Sequence, residues 1–181
     1  GYRTVDRIVR FASDIGVRAL TLYTFSAENW RRPRTEVTGI MKLIARAAHN
    51  DLRKFLDFGV QFRVSGRLDA LPDYVRDPLL ADSERTRGNT GLVLNLAINY
   101  GGRAELVDAA RALARRVKDG ELEPDAIDEQ SITDALYQPD LPEPDLLIRT
   151  AGEMRVSNFL LWEIAYAELH VTSVLWPDFG E

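Results

Sequence analysis

Leu92-Val93-Leu94-Asn95-Leu96-Ala97-Ile98 runs without a break into Asn99-Tyr100-Gly101-Gly102-Arg103. Six of the first seven residues are apolar, the pattern of a central strand buried on both faces in a parallel sheet. The next five are polar and glycine-rich, and a helical pattern follows them through Val117. Strand, glycine turn and helix form one arm of a parallel crossover unit.

The same alternation appears on both sides of this segment. Val5, Ile8, Val9, Phe11, Ala12 and Ile15 share one side of a first helix, and Gly16 suits its C-cap. Ala19 to Phe25 reads as a buried strand, and Ser26 to Pro33 as a polar loop. Thr35 is placed to cap a long helix with Val37, Ile40, Met41, Ile44, Ala48, Leu52, Phe55 and Leu56 inside; Gly59 ends it. Val60 to Val64 is a short strand. Pro72 opens a helix with Tyr74, Val75, Leu79 and Leu80 inward, closed by Gly88 and Asn89. Beyond Val117 come short helical pieces near Pro124 and Ser131, a strand Asp145–Arg149, an apolar helical turn Asn158–Trp162 and a last strand Glu168–Val171. The expected class is α/β, with a mostly parallel central sheet flanked by helices on both faces.

The chain has 181 residues, 45% hydrophobic and 28% charged, with a net charge of −5. That length suits one domain spanning 1–181. The acidic balance disfavours nucleic acid as a partner. Cysteine is absent and histidine limited to His49 and His170, which removes thiol chemistry and Cys- or His-rich metal sites. Neither histidine has ligand-like neighbours, and both read as structural. No apolar run has the roughly 18 residues of a membrane span. The expected setting is soluble and cytoplasmic. The first residue is Gly1 rather than Met, as in a piece of something longer.

In such sheets ligands bind beyond the carboxyl ends of the strands. Arg149 ends a strand, and Arg155 and Ser157 follow a tight loop. Two guanidinium forks and a hydroxyl suit phosphate oxygens. The competing reading pairs Arg155 with Glu153 on the surface. Glu168 enters an apolar stretch as a Mg²⁺ ligand, as the partner of an arginine, or simply exposed. Ser26-Ala27-Glu28-Asn29-Trp30 is rich in donors; Trp30 either covers a substrate or packs on the edge of the core. Arg31, Arg32 and Arg34 form a cationic run that is otherwise a solvated face. Asn99 to Arg103 resembles a phosphate loop only weakly and reads more simply as turn chemistry.

Phe25 to Trp30, Asn95 to Arg103, and Ile148-Arg149-Thr150 through Ser157-Asn158-Phe159-Leu160-Leu161-Trp162 to Glu168 and Trp176-Pro177-Asp178 together resemble the cis-prenyltransferases. Bacterial undecaprenyl diphosphate synthases are closest in pattern. The element Arg-x5-Arg-x-Ser, with Glu168 eleven residues after Ser157, is its most specific part. The resemblance implies condensation of isopentenyl diphosphate onto an allylic diphosphate, usually farnesyl diphosphate, with Mg²⁺. It implies that Arg149, Arg155 and Ser157 hold the isopentenyl diphosphate, and that Glu168 ligates Mg²⁺. Ser26 and Asn29 would assist proton removal, and Phe25, Trp30 and Arg32 would position substrates on a mobile loop. It also implies an apolar tunnel lined by Leu92 and the helix after Thr35, a homodimer with the Asn158–Trp162 turn near its contact, and peripheral contact with the inner membrane through the product.

The family's N-terminal strand, its Asp-Gly-Asn-Gly-Arg-Trp loop and its C-terminal tail have no counterpart in this sequence. This chain alone is therefore expected to be impaired. The alternatives are a non-catalytic partner subunit, which usually lacks the Ser26–Trp30 motif, an inactive fragment of such an enzyme, and a generic nucleotide- or sugar-phosphate-binding α/β domain.

Overall fold

The computed structural model describes residues 2–180; the His49 side chain also lies outside the described residues, so its structural reading is not addressed. Five helices and five strands follow in order: α1 (Tyr2–Asp14), β1 (Ala19–Ser26), α2 (Arg34–Asp57), β2 (Gln61–Ser65), α3 (Asp73–Thr86), β3 (Val93–Tyr100), α4 (Gly102–Lys118), α5 (Glu129–Asp134), β4 (Leu146–Arg149) and β5 (Glu168–Val171). Every strand pairing is parallel, as the alternation dictates, because parallel neighbours need a crossover between them. The strands form two sheets among the described residues. One is three-stranded in the order β1-β3-β2, and the other is the pair β4-β5.

β3 is central, and its continuous apolar run is the reason: it has neighbours on both edges and cover on both faces. Leu94 and Ile98 pack with Val37, Met41 and Ile44 of α2, Phe62 and Val64 of β2, and Val75 and Leu79 of α3. Ala97 and Tyr100 belong to a second cluster with Phe159 and Leu160. Asn95, the polar exception, is buried; its Oδ1 accepts from the Ser65 hydroxyl at 2.8 Å.

Several local expectations are corrected. Pro33, not Thr35, is the N-cap of α2, and it offers no capping side chain. Tyr74 and Leu80 are exposed, so α3 presents a narrower apolar stripe, centred on Val75 and Leu79. Ile15 and Leu56 are exposed too. β1 is only half-buried apart from buried Phe25 and exposed Thr24, because it pairs with β3 on one edge alone. Asn158–Trp162 is a series of turns rather than helix, since Ser157, Asn158 and Leu160 have φ of +50°, +63° and +46°. Left-handed residues cannot propagate an α-helix.

A cleft of about 1220 Å³ is lined by Ala19–Thr24 of β1, by Leu146–Arg149 of β4 and by residues of α1 and α2. Both bordering strands are unpaired on one edge among the described residues. Leu20, Leu22, Ile44, Phe55, Leu147 and Phe159 make much of its wall apolar.

Candidate functional site

The carboxyl ends of β1, β3 and β4 converge, and their loops are joined by one side chain that sequence reasoning passed over. Asn158 Nδ2 donates to Glu28 Oε1 at 2.8 Å. Its Oδ1 accepts from the Arg103 N–H at 2.9 Å, and its backbone carbonyl accepts from the Gly102 N–H at 2.7 Å. Asn158 thus ties the β1 loop, the β3–α4 turn and the segment after β4 together. The two glycines of that turn are explained by this approach. A Cβ on Gly101 would lie 2.7 Å from Asn158 Nδ2, and one on Gly102 would lie 2.7 Å from Leu161 Cγ. They are packing glycines, as the simpler turn reading has it.

Asn158→Ala is expected to lower the unfolding temperature by roughly 5–10 °C, measured by thermal denaturation. It removes two side-chain hydrogen bonds, each worth about 1 kcal/mol, and leaves a non-glycine residue at positive φ, at a cost of about 1 kcal/mol. Asn158→Gly relieves only the backbone part and should recover only that fraction.

Ser26, Asn29 and Trp30 lie in the loop that Asn158 holds. Ala27–Arg31 forms a 3-10 turn in which Asn29 Oδ1 accepts from the Ser26 N–H at 3.1 Å. Burial pushes the Glu28 carboxyl upward, but hydrogen bonds from its own N–H, Asn158 and Ser26, together with Arg31, outweigh it and hold the group below its usual range. Trp30 is partly exposed. Its ring meets Phe25 edge-on at 5.2 Å, and its Nε1 donates to Asn99 Oδ1 at 2.7 Å. Phe25 itself is fully buried and forms the floor under that indole. Arg32 pairs with Glu36 at 2.7 Å on the surface, and Arg34 starts α2 in solvent.

Arg149 and Arg155 are brought together by Glu153. Its Oε2 takes a close ion pair from Arg149, and its Oε1 one from Arg155 at 2.5 Å. The surface-pair reading of Arg155 is therefore met, and the two-arginine constellation exists as well. Arg149 Nε is buried and has no hydrogen-bond partner. An unmet buried donor is uncommon and marks a place where an acceptor fits. Both arginines line the cleft, whereas Ser26, Asn29, Trp30, Arg32 and Ser157 lie outside its lining. Ser157 is half-buried, and its carbonyl faces the Tyr23 hydroxyl at 3.5 Å. Tyr23, another residue missed from the sequence, stacks on Phe159 at 4.6 Å. Burial and the Glu28 charge push its phenol up to about 12.

Glu168 is set apart from these groups. It is exposed and opens β5 opposite Leu146, while Arg149 lies opposite Val171. Three residues of strand separate those register positions, roughly 10 Å. His170, paired in register with Ile148, is exposed as well. Among the described residues no three His, Cys, Asp or Glu side chains are grouped to hold a metal ion.

A family model described as "Putative undecaprenyl diphosphate synthase" matches residues 1–181. An isoprenyl transferase of Halalkalibacterium halodurans is 48% identical over 181 residues, covering 100% of this chain and 71% of that protein. The farnesyl-diphosphate-specific ditrans,polycis-undecaprenyl-diphosphate synthase of Escherichia coli is 45% identical over 181 residues, covering 72% of its length. Among solved structures, lavandulyl diphosphate synthase from Lavandula x intermedia, in complex with dimethylallyl diphosphate, superposes with a TM-score of 0.95 at 35% identity. That match covers 99% of this chain and 78% of the other. A probable undecaprenyl diphosphate synthase from Campylobacter jejuni gives 0.85 at 35% identity, covering 98% and 81%.

Proposed function

The chain belongs to the undecaprenyl diphosphate synthase family of prenyltransferases, and from that membership we propose that it condenses isopentenyl diphosphate onto an allylic diphosphate, farnesyl diphosphate being the primer, to build a polyprenyl diphosphate. The observation that carries this reading is the pair Arg149 and Arg155 at the rim of an otherwise largely apolar cleft, with one buried donor of Arg149 unmet. Diphosphates are held by guanidinium forks, and a hydrocarbon chain is held by dry apolar walls. A single site offering both is suited to an isoprenoid diphosphate.

In this reading the isopentenyl diphosphate displaces the Glu153 carboxylate and takes both guanidinium groups, with the Ser157 hydroxyl as a further donor. The allylic carbon loses its diphosphate as the isopentenyl double bond attacks it. Proton loss from the isopentenyl unit then gives the new double bond. Ser26 and Asn29, fixed beside each other at the end of β1, are the groups assigned to that proton. Phe25, Trp30 and Arg32 position substrates on the same loop. The tunnel is assigned to this apolar cleft, walled by β1 and α2; Leu92, which the resemblance implied as a lining residue, is a core residue outside that lining. Chain growth is favoured there by about 0.8 kcal/mol for each CH₂ withdrawn from water.

A divalent cation belongs to the family's chemistry, and Mg²⁺ is the ion assigned here, with the role of offsetting charge on the leaving diphosphate. Glu168 would supply one ligand. A single exposed carboxylate is not a metal site by itself, so no step is drawn through the ion. Residues 1–181 are taken as one domain. The homodimer implied by the resemblance, with the Asn158–Trp162 turn near its contact, would use exposed apolar residues such as Leu169, Val174 and Leu175, since Phe159 and Leu160 of that turn are buried within this chain. No described helix is long and apolar enough to cross a membrane; contact with the inner membrane from the cytoplasm would come through the product.

The test is incubation with radiolabelled isopentenyl diphosphate, farnesyl diphosphate and Mg²⁺, followed by chromatography of the extracted lipid, beside calorimetric titration of isopentenyl diphosphate alone. Binding together with lengthened prenyl product supports the reading. A chain that binds neither diphosphate refutes it. Binding without turnover fits both the impairment expected of this chain alone and the partner-subunit alternative, and against the latter the intact Ser26–Trp30 motif stands.

A further inference from the structure

Asn99 opens the stretch Asn99–Arg103, which the reaction above does not use, yet its side chain reaches the loop that carries Trp30. It is almost fully buried and left-handed, with φ +49°. Phe25 pairs with Ile98 and Ser26 with Tyr100, so Asn99 is skipped in the register of β3 with β1. A residue skipped in this way forms a bulge, and a bulge re-aims a side chain. Asparagine is one of the few residues that adopt a left-handed backbone at low cost.

The surroundings fix which way the carboxamide points. Arg67 holds Asn99 at two places. Its N–H donates to the Asn99 carbonyl at 3.3 Å, and its own carbonyl accepts from Asn99 Nδ2 at 2.7 Å. Arg67 is itself anchored by a two-pronged ion pair to Asp108 at 2.8 and 2.9 Å, and Asp108 accepts from the Tyr137 hydroxyl at 2.6 Å. A carbonyl can only accept, so Nδ2 must face Arg67, and Oδ1 is left for the indole. Trp30 Nε1, a donor only, meets that oxygen at 2.7 Å. The partly exposed indole is thus held twice, by its N–H at Asn99 and by its ring against Phe25. Apolar contact is non-directional, whereas a hydrogen bond fixes orientation. An ionised aspartate at this position would set its second oxygen against the Arg67 carbonyl, acceptor against acceptor.

We propose that Asn99 is a positioning residue whose Oδ1 holds the Trp30 indole in one orientation and so fixes the pose in which the Ser26–Trp30 loop meets substrate. The positioning role rests on the function proposed above; the Asn99–Trp30 contact does not.

The experiment follows hydrogen exchange at the tryptophan indoles of the full chain by nitrogen-15 NMR, beside calorimetric titration of isopentenyl diphosphate. Trp30→Phe identifies the Trp30 signal by its loss. Asn99→Gly removes the carboxamide and keeps a left-handed backbone without strain. In that variant the Trp30 indole should exchange about tenfold faster, while the Trp162 indole, which donates to Thr133 Oγ1 at 3.0 Å, keeps its rate as the internal control. Isopentenyl diphosphate should bind about five- to tenfold more weakly to Asn99→Gly than to the wild type. Where Trp30 is already phenylalanine, the same change should cost less than about twofold, because Asn99 acts through the indole N–H. Unchanged Trp30 exchange in Asn99→Gly overturns the contact. Faster exchange with no loss of affinity, or with equal losses in both backgrounds, overturns the positioning role, since a merely structural residue weakens both alike. Absence of binding by the wild type overturns the functional reading and with it the positioning role, while the exchange rates still decide the contact. If Asn99→Gly does not fold, the wild type and Trp30→Phe decide instead. Wild-type Trp30 indole exchange about tenfold slower than in free tryptophan is expected, and exchange at the free rate overturns the contact. Trp30→Phe, which keeps a ring and loses the N–H, should bind isopentenyl diphosphate about fivefold more weakly, and equal binding overturns the role.

Discussion

Arg149→Ala should raise the dissociation constant for isopentenyl diphosphate about 30- to 150-fold. Charge-assisted hydrogen bonds to a partly buried guanidinium are worth about 2–3 kcal/mol, which converts to that factor. Arg149 is 29% exposed and Arg155 is 66% exposed. Water screens the second far more, so Arg155→Ala should cost only about three- to fivefold. Glu153→Gln provides the opposite sign. It leaves both arginines without their internal carboxylate and should tighten binding several-fold. Calorimetric titration of the three variants decides the matter, with unfolding temperature as the control for general damage. Equal and negligible losses at both arginines would remove the clamp.

Gly66→Ala is expected to cost more than 4 kcal/mol, a fall of 10 °C or more in unfolding temperature or no folded protein at all. Gly66 has φ +128°, and an added Cβ would sit 2.0 Å from the Ile98 carbonyl oxygen. Neither the backbone angle nor a backbone atom can yield cheaply. The strain would reach the site, because Asn99, next to Ile98, accepts from Trp30 and donates to the Arg67 carbonyl at 2.7 Å. Gly39→Ala is the contrasting control. It lies inside α2 with nothing within 4 Å of the added Cβ. Alanine is the better helix residue by about 0.5–1 kcal/mol, so the variant should gain roughly 2 °C. Thermal denaturation of the two variants reads both signs, and a stable Gly66→Ala would refute the steric argument.

Much of the frame was legible because its physics is local. The apolar run of β3, the glycine-closed ends of α1 and α2 and the strand–helix alternation all follow from residue type and spacing. The polar motifs were legible for the same reason: Ser26–Trp30, Asn99–Arg103 and Arg149–Ser157 each follow a strand directly. Thr35 misled because its capping chemistry is sound in isolation, but Pro33 already starts the helix. Asn158–Trp162 misled because its apolar spacing suits a helix, whereas tertiary contacts hold three of the residues from Ser157 to Leu160 left-handed.

Other features depend on which distant residues meet. Asn158 has no distinguishing spacing. Its importance comes from Glu28 and Arg103, 130 and 55 residues away. Glu105 looks like an ordinary surface acid until folding buries its carboxyl against the Tyr100 hydroxyl and the Tyr137 N–H. Glu168 lies on the same strand pair as Arg149, and only the register of β4 with β5 reveals that it opens the opposite end. Periodicity and turn propensity act over a few residues, so residue order alone dictates the parallel α/β plan and the loops that carry the chemistry. Which of those side chains share a carboxylate or a hydrogen bond is settled in three dimensions, because burial and charge pairing arise from contacts that chain order does not encode.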